Sequence, residues 1–151
     1  MVPLLCLILF AIIDYGRALN TEQIMVDLTR QGSNMASRGT ALATAASTVA
    51  LNSAPLTVSS LGLVIVSSVA RVNNVDTVTG QAGTGGISVA SKIGTLNGKA
   101  TVPAAVDDIF SKNSGQTVYI TEIYYPLTAI TPLAAMWGQL LPTTLYQVAY
   151  F

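Results

Sequence analysis

Few residues in this chain could carry acid–base chemistry, and the first to consider is Glu122. It lies in VYITEIYY, where apolar and polar positions alternate as they do in a strand and tyrosines stand nearby on both sides. A catalytic carboxylate needs a second acid, base or nucleophile within reach, and no other titratable residue stands at a spacing that implies one. The sequence therefore predicts a structural charge pair or hydrogen bond for Glu122.

The supply of metal ligands and nucleophiles is equally small. The chain has no histidine and a single cysteine, Cys6, which excludes the usual zinc sites and the Cys–His and Ser–His nucleophiles. Cys6 has no partner for an intrachain disulfide. Because it lies inside an apolar run, we expect its thiol to be buried and to behave as a small hydrophobe.

Two further motifs carry little chemistry. Asp107 and Asp108 are adjacent, so their carboxylates point to different sides, whereas Ca²⁺ requires several converging oxygens. We interpret them as a solvated turn. The glycines of GQAGTGG at 80–86 are not followed by Lys-Ser/Thr, so they predict a flexible loop and no phosphate site. We expect no enzyme activity, cofactor, metal or small-molecule substrate.

Charge and composition exclude another class of partner. Charged residues make up 9% of the chain, with seven acidic and seven basic side chains, against about 25% in an average soluble domain. No cluster of basic residues is present to bind phosphates, so we expect no nucleic acid partner. A neutral chain rich in small residues suits a protein packed against copies of itself, and a membrane protein would share this composition.

The apolar run at residues 1–13, MVPLLCLILFAII, is the most unusual segment. It is shorter than the about 20 apolar residues of an ordinary membrane span. It also lacks the flanking basic residues and cleavage site of a signal peptide. Asp14 and Arg17 follow it at a spacing of three residues, at which they are expected to pair on a helix surface.

A repeating pattern follows the run. Apolar or small residues recur from Met25 at alternating intervals of three and four, which is typical of a helix-packing interface. Every second position of this pattern carries a large side chain, and the positions between them carry mostly small ones. The small residues would let the backbone of another helix approach closely. The predicted interface comprises Leu28, Gly32, Met35, Gly39, Leu42, Ala46 and Val49. Pro3 suits a first turn, so we predict a helix to about Asn52, about 75 Å long and projecting from a small domain.

The second half changes its periodicity. We predict strands at 61–72, at 116–127 and at 143–151, with a short strand at 86–94 and a loop at 73–86. We also predict a turn at Asn97-Gly98, a helical turn after Pro103, and a loop or short helix at 132–142. The expected fold is α+β, with a long N-terminal helix at 1–54 followed by a small antiparallel sheet domain at 55–151.

Three stretches, in this order, resemble one family. They are VPLLCLILFAIIDYGRALN at 2–20, SKIGTLNGKATVP at 91–103 and VYITEIYYPLTAITPL at 118–133. Together they are similar to the TadE-like pilins of bacterial tight-adherence (Tad) systems, which are related to type IV pili. The first carries the early proline, the leucine-rich run and the step Asp14-Tyr15-Gly16-Arg17-Ala18; the others carry Ile-Gly, Gly-x-Ala-Thr and Glu-hydrophobic-Tyr elements.

The resemblance implies a structural protein. Such pilins are held in the inner membrane by their N-terminal helix and then enter an extracellular filament whose core is a bundle of these helices. The implied partners are copies of the chain itself, the inner membrane before assembly, and other pilins, with attachment or colonisation as the use of the filament. The alternative is a minor pilin that primes or regulates assembly, or a tip adhesin, because TadE-like proteins are usually minor subunits.

One position departs from the family pattern. Pilins of this kind usually carry a glutamate near the start of the mature helix, where this sequence has Leu5. Two explanations are open: residues precede Met1 in the native precursor, or subunits register without that glutamate.

Overall fold

The described chain forms four helices and four strands, and the strands make one sheet. The computed structural model describes residues 2–112, 115–128, 130–131 and 143–151. In chain order the elements are α1 (Val2–Ser37), α2 (Leu42–Leu51), α3 (Val58–Leu61), β1 (Leu63–Val72), β2 (Val75–Gly85), α4 (Ala104–Lys112), β3 (Thr117–Pro126) and β4 (Thr144–Tyr150). The predicted α+β class, a long N-terminal helix followed by a small antiparallel sheet, is confirmed. The loop or short helix predicted at 132–142 lies outside the described residues.

The first helix ends at a glycine cap. Gly39 has a φ of 90°, a backbone conformation that side chains disfavour and glycine tolerates. Its amide donates to the Ala36 carbonyl at 3.0 Å, and the Thr40 amide donates to the Met35 carbonyl at 3.1 Å. This is the hydrogen-bond pattern of a Schellman motif, which satisfies the last carbonyls of a helix and turns the chain away from its axis.

The prediction of a single helix to about Asn52 is therefore wrong. α1 has 36 residues and is about 54 Å long, and α2 folds back against it. A Cβ on Gly32 would lie 3.2 Å from a Val49 methyl and 2.7 Å from the Thr121 hydroxyl oxygen. Glycine is needed at this point because α1 crosses both α2 and the sheet there. The division into domains at 1–54 and 55–151 stays a prediction.

The sheet is antiparallel throughout, in the order β2-β1-β3-β4. Asn73 and Asn74 join β1 to β2 with φ values of 51° and 63°, as in the two-residue turns favoured in hairpins. The predicted loop at 73–86 is wrong beyond these two residues, because 75–85 pair with β1. Strand propensity depends on context, and pairing with an apolar neighbour outweighs the glycine content of this segment.

Both faces of the sheet are covered. α1 and α2 cover one face, in a cluster that includes Met25, Leu28, Val49, Val64, Val66 and Ile123. The other face packs against α4 and the segment before it, through Val69, Val78, Ile93, Phe110, Val118 and Ile120. The continuous apolar run of β1 follows from this burial on two sides. The segment at 86–94, predicted as a strand, is not one; Ile93 instead packs under the sheet.

An arginine ties α4 to the hairpin of β1 and β2. Arg71 Nε lies 2.8 Å from Asp76 Oδ1, and its terminal nitrogen contacts Asp107 Oδ1. The guanidinium carbon lies 6.0 Å from the centre of the Phe110 ring. Asp107 and Asp108 thus lie on a helix, so the turn predicted for them is wrong, whereas their predicted exposure to solvent is confirmed. Helix formation after Pro103 and the turn at Asn97-Gly98 are confirmed.

Candidate functional site

One face of α1 lies on the rest of the molecule. Its buried positions recur at intervals of three or four residues, as one face of a helix does. They are Asp14, Ala18, Thr21, Met25, Leu28, Thr29, Gly32, Ser33 and Ala36. The contact is polar as well as apolar, since Ser33 Oγ lies 3.0 Å from both Thr121 Oγ1 and Ala149 O. The first buried residue of this face is Asp14, so the described helix before it projects from the domain.

The projecting end of α1 is apolar on every side. We call residues 5–13 the stalk. Five of its aliphatic side chains are exposed, those of Leu5, Ile8, Leu9, Ile12 and Ile13, with Leu9 at 56% and Ile12 at 62% of their full accessible area. Cys6 and Ala11 are exposed too. The burial predicted for Cys6 is therefore wrong within one chain. Tyr15 and Leu19 are exposed as well. From Asn20 onward the exposed positions of α1 are polar, among them Gln23, Asp27, Arg30 and Gln31.

Asp14 marks the point where the stalk leaves the domain. Its Oδ1 accepts a hydrogen bond from the Ile130 amide at 3.1 Å, and its Oδ2 accepts one from the Thr131 hydroxyl. The hydrogen bond from Thr131 is the main cause that lowers the pKa of Asp14; burial opposes it, and the Ile130 amide and the charge of Arg17 reinforce it. The carboxylate therefore joins α1 to the segment after β3.

Arg17 binds the same segment. Its guanidinium donates to the Thr128 carbonyl at 3.4 Å. Among the described residues the structure contains no ion pair between Asp14 and Arg17, which we had expected from their spacing. Both side chains instead reach residues more than 100 positions away in the sequence. No local pattern could have revealed these contacts.

The predicted packing interface lies mostly inside the chain. Leu28, Gly32, Ala46 and Val49 are buried, and Met35 and Leu42 are partly buried against the same core. Gly39 is exposed in the turn and would meet no atom within 4 Å if it carried a Cβ. The structure thus packs six of the seven residues within the chain, and the seventh, Gly39, caps α1. Contact between copies through these residues stays a prediction.

Glu122 is buried and hydrogen-bonded, as the sequence predicted. Its carboxylate accepts from the Lys92 amide at 2.9 Å, from the Tyr124 and Tyr146 hydroxyls at 3.0 Å each, and from the Ser91 hydroxyl. Burial, followed by the charge of Glu122, raises the pKa of both tyrosines. The four donors satisfy the carboxylate and hold the segment around Lys92 against the sheet, which is a structural role.

The rest of the described chain offers no centre for metal chemistry. No group of three or more Cys, Asp or Glu side chains that could hold a metal ion is found in the part of the chain that the structure describes. Within that same part, no helix combines the length and the apolar character that crossing a membrane requires.

The fold and the stalk define a class of protein: a small sheet domain with a projecting apolar helix. Residues 1–34 match the family model described as "TadE-like protein". The predicted resemblance to TadE-like pilins of Tad systems is thereby confirmed in α1, and the matched residues include the whole stalk. A pilin-like protein associated with a Tad pilus is the class to which this likeness points, and that family is structural. No curated protein and no solved structure matches the chain.

Proposed function

We propose that this chain is a structural pilin subunit that polymerises into an extracellular filament through its N-terminal helix. One observation carries the proposal: the stalk is exposed, apolar on all sides, and lies within the family match. A helix that is hydrophobic all round is normally buried in a protein core or a membrane. Covering the exposed aliphatic side chains of the stalk would contribute on the order of 5 kcal/mol per copy.

Two surroundings would cover the stalk in turn. Before assembly the stalk lies in the inner membrane, and after assembly it packs among the stalks of neighbouring copies and of other pilins. The described α1 carries polar residues on its outer face from Asn20 onward, so these contacts are concentrated at the stalk. The filament on the bacterial surface serves attachment or colonisation, and the chain acts without catalysis.

A second candidate has its own support. The residues predicted to pack against copies, Leu28 to Val49, are largely used inside the chain, which leaves a short surface for repeated self-association. This favours a minor pilin that primes or regulates assembly from the inner membrane, or sits at a filament tip as an adhesin.

Electron microscopy of material sheared from producing cells tests the proposal, with antibody labelling and N-terminal sequencing of the sheared chain. Label along the length of regular filaments supports the main-subunit function. Label confined to filament ends supports the tip or priming role. A chain that remains in the inner-membrane fraction while filaments form without it contradicts the filament-subunit function and leaves the anchored minor pilin.

A further inference from the structure

The stalk leaves the domain at one particular end of the sheet. β1 begins there and β3 ends there, since Leu63 pairs with Tyr124. The Leu127 amide donates to the Thr143 carbonyl at 3.1 Å, and the Gly86 amide donates to the Gly62 carbonyl at 2.8 Å. We call this end the base; it is formed by residues 51–62, 84–87, 126–128, 130–131 and 143–145.

Two hydrogen bonds show that the helical residues of the base and the end of the stalk lie at this end of the sheet. The Val58 amide donates to Ser53 Oγ at 3.1 Å, which holds the end of α2 beside α3. Asp14 accepts from the Ile130 amide, directly after β3. The stalk and the base therefore share one side of the molecule.

The segments that form the base are rich in apolar residues, and the charges that contact them, Asp14 and Arg17, come from α1 and are hydrogen-bonded there. Three large aliphatic side chains are exposed on the base: Leu51 at 76%, Leu61 at 51% and Ile130 at 68% of their full area. None of the segments that form it contains a charged residue; their remaining exposed residues are uncharged, such as Asn52, Ser59 and Ser60. Grouped exposed apolar side chains mark interaction surfaces.

The opposite end of the sheet has the reverse character. Arg71 pairs there with Asp76 and Asp107, and Lys99 lies beside it through its bridge to Thr77. The ion pairs among the described residues therefore lie at the end away from the stalk. The charged groups near the base are Asp14 and Arg17 of α1, which are hydrogen-bonded to it, and Lys92, whose ammonium lies 3.9 Å from the centre of the Tyr146 ring.

We propose that the base is a lipid-contacting surface, whose Leu51, Leu61 and Ile130 enter the interfacial layer of the bilayer while the stalk is inserted. The inference rests on the membrane stage of the proposed function. An inserted stalk brings the base against the headgroups, where water is partly excluded and an unpaired charge is costly. Aliphatic side chains on such a surface gain free energy by entering the headgroup–acyl boundary.

The test uses the full chain carrying Cys6→Ser, reconstituted into vesicles of phosphatidylethanolamine and phosphatidylglycerol. An environment-sensitive fluorophore is attached at Leu61→Cys or Ile130→Cys on the base, at Leu9→Cys on the stalk, or at Leu96→Cys as a control. Leu96 is as exposed as Leu61, at 51%, but lies outside the base. We expect a blue shift, and quenching by lipids spin-labelled near the headgroup, at the base and not at Leu96.

The outcomes separate the two proposals. Quenching at Leu9 with no more response at Leu61 and Ile130 than at Leu96 overturns the lipid-contacting base and keeps the inserted stalk. No quenching at any position overturns both. Base labels that respond only when unlabelled chains assemble with the labelled one, without lipid, assign the base to a second copy and also overturn the inference.

A pair of charge substitutions gives an independent readout. Leu61→Glu with Ile130→Glu should reduce the fraction of chain that partitions into the vesicles, whereas Leu96→Glu with Val72→Glu should not. Equal partitioning of the two double variants would contradict the inference. Circular dichroism of both variants checks that the sheet remains folded.

Discussion

At the scale of single residues, Glu122 shows how a buried charge is held without a paired cation. The carboxylate is fully buried, and its four donors come from the segment at Ser91 and Lys92 and from two tyrosines. Hydrogen bonds to charged groups contribute about 1.5–3 kcal/mol each, and an unsatisfied buried partner is costly. The network therefore fixes a segment without regular structure against β3.

Replacing this carboxylate by an amide should weaken the fold. In Glu122→Gln one acceptor oxygen becomes an NH₂ group that faces donors, so we expect a loss of about 3 kcal/mol in the free energy of unfolding. Urea denaturation followed by circular dichroism measures it. Asp108→Asn, at an exposed position, is the matched control and should change little. A loss in Glu122→Gln no larger than the control's would contradict the assigned role.

The tyrosines around Glu122 predict a loss of stability in alkali. The pKa values of Tyr124 and Tyr146 are raised in the folded chain, first by burial and then by the charge of Glu122. Above the unfolded pKa of about 10, the folded state binds more protons than the unfolded state, so the unfolding free energy falls as pH rises.

Urea midpoints measured from about pH 8 upward should therefore decline once the pH passes about 10. Tyr146→Phe removes one of the titrating groups and should make the decline shallower, although it also removes a hydrogen bond and lowers the midpoint at every pH. A midpoint that stays constant across this range, or an unchanged slope in Tyr146→Phe, would refute the linkage.

At the scale of elements, the glycines of α1 have different surroundings although they share a helix. A Cβ on Gly16 would meet nothing within 4 Å, whereas a Cβ on Gly32 would lie 2.7 Å from Thr121 Oγ1. Glycine costs a helix about 1 kcal/mol relative to alanine. At Gly32 that cost is offset by close packing of α1 on the sheet. At Gly16 no contact with the residues that the structure describes offsets it.

Substitution by alanine should thus change the free energy of unfolding in opposite directions at the two positions. Gly32→Ala should destabilise the chain by about 1–3 kcal/mol through overpacking against Thr121 and Val49. Gly16→Ala should stabilise it by up to about 1 kcal/mol through helix propensity. Thermal unfolding of the detergent-solubilised chain measures both. Effects of equal sign would show that the contact between α1 and the sheet is looser than the structure indicates.

At the scale of the whole molecule, the stalk and the domain are energetically separate. The described side chains of the stalk belong to none of the core clusters, while the second half of α1 is part of the main core. The surface that would hold copies together is therefore distinct from the surface that holds the fold together.

Charging the stalk should then abolish association without unfolding the domain. In Leu9→Glu with Ile12→Glu, we expect loss of filaments and of membrane partitioning, because a carboxylate in an apolar contact is strongly disfavoured. The free energy of unfolding should stay within about 0.5 kcal/mol of the parent, as for other surface substitutions. Electron microscopy and urea denaturation give the two readouts, with Leu96→Glu as a control at an exposed position outside the stalk. Filaments at the parent yield would exclude the stalk as the assembly surface.

Some features were determined by the sequence alone because their causes are local. The unbroken apolar run before Asp14 identified the stalk, and the alternation of β3 placed Ile120 and Glu122 on one face and Ile123 on the other. The helix end at Gly39 also has a local sequence signal, a glycine that follows polar residues. The spacing of three and four residues between apolar positions, however, continues past Gly39. That continuing interval caused the prediction of one long helix.

Only the tertiary structure decided what each buried face packs against. The pattern from Leu28 to Val49 shows that a face is covered, but the same spacing serves a neighbouring copy or the chain's own sheet. β2 forms although its sequence favours a loop, because its backbone groups pair with β1. Asp14 meets Ile130 and Thr131 across more than 100 residues. Such contacts depend on how the elements fold together, and short-range periodicity carries no information about that arrangement.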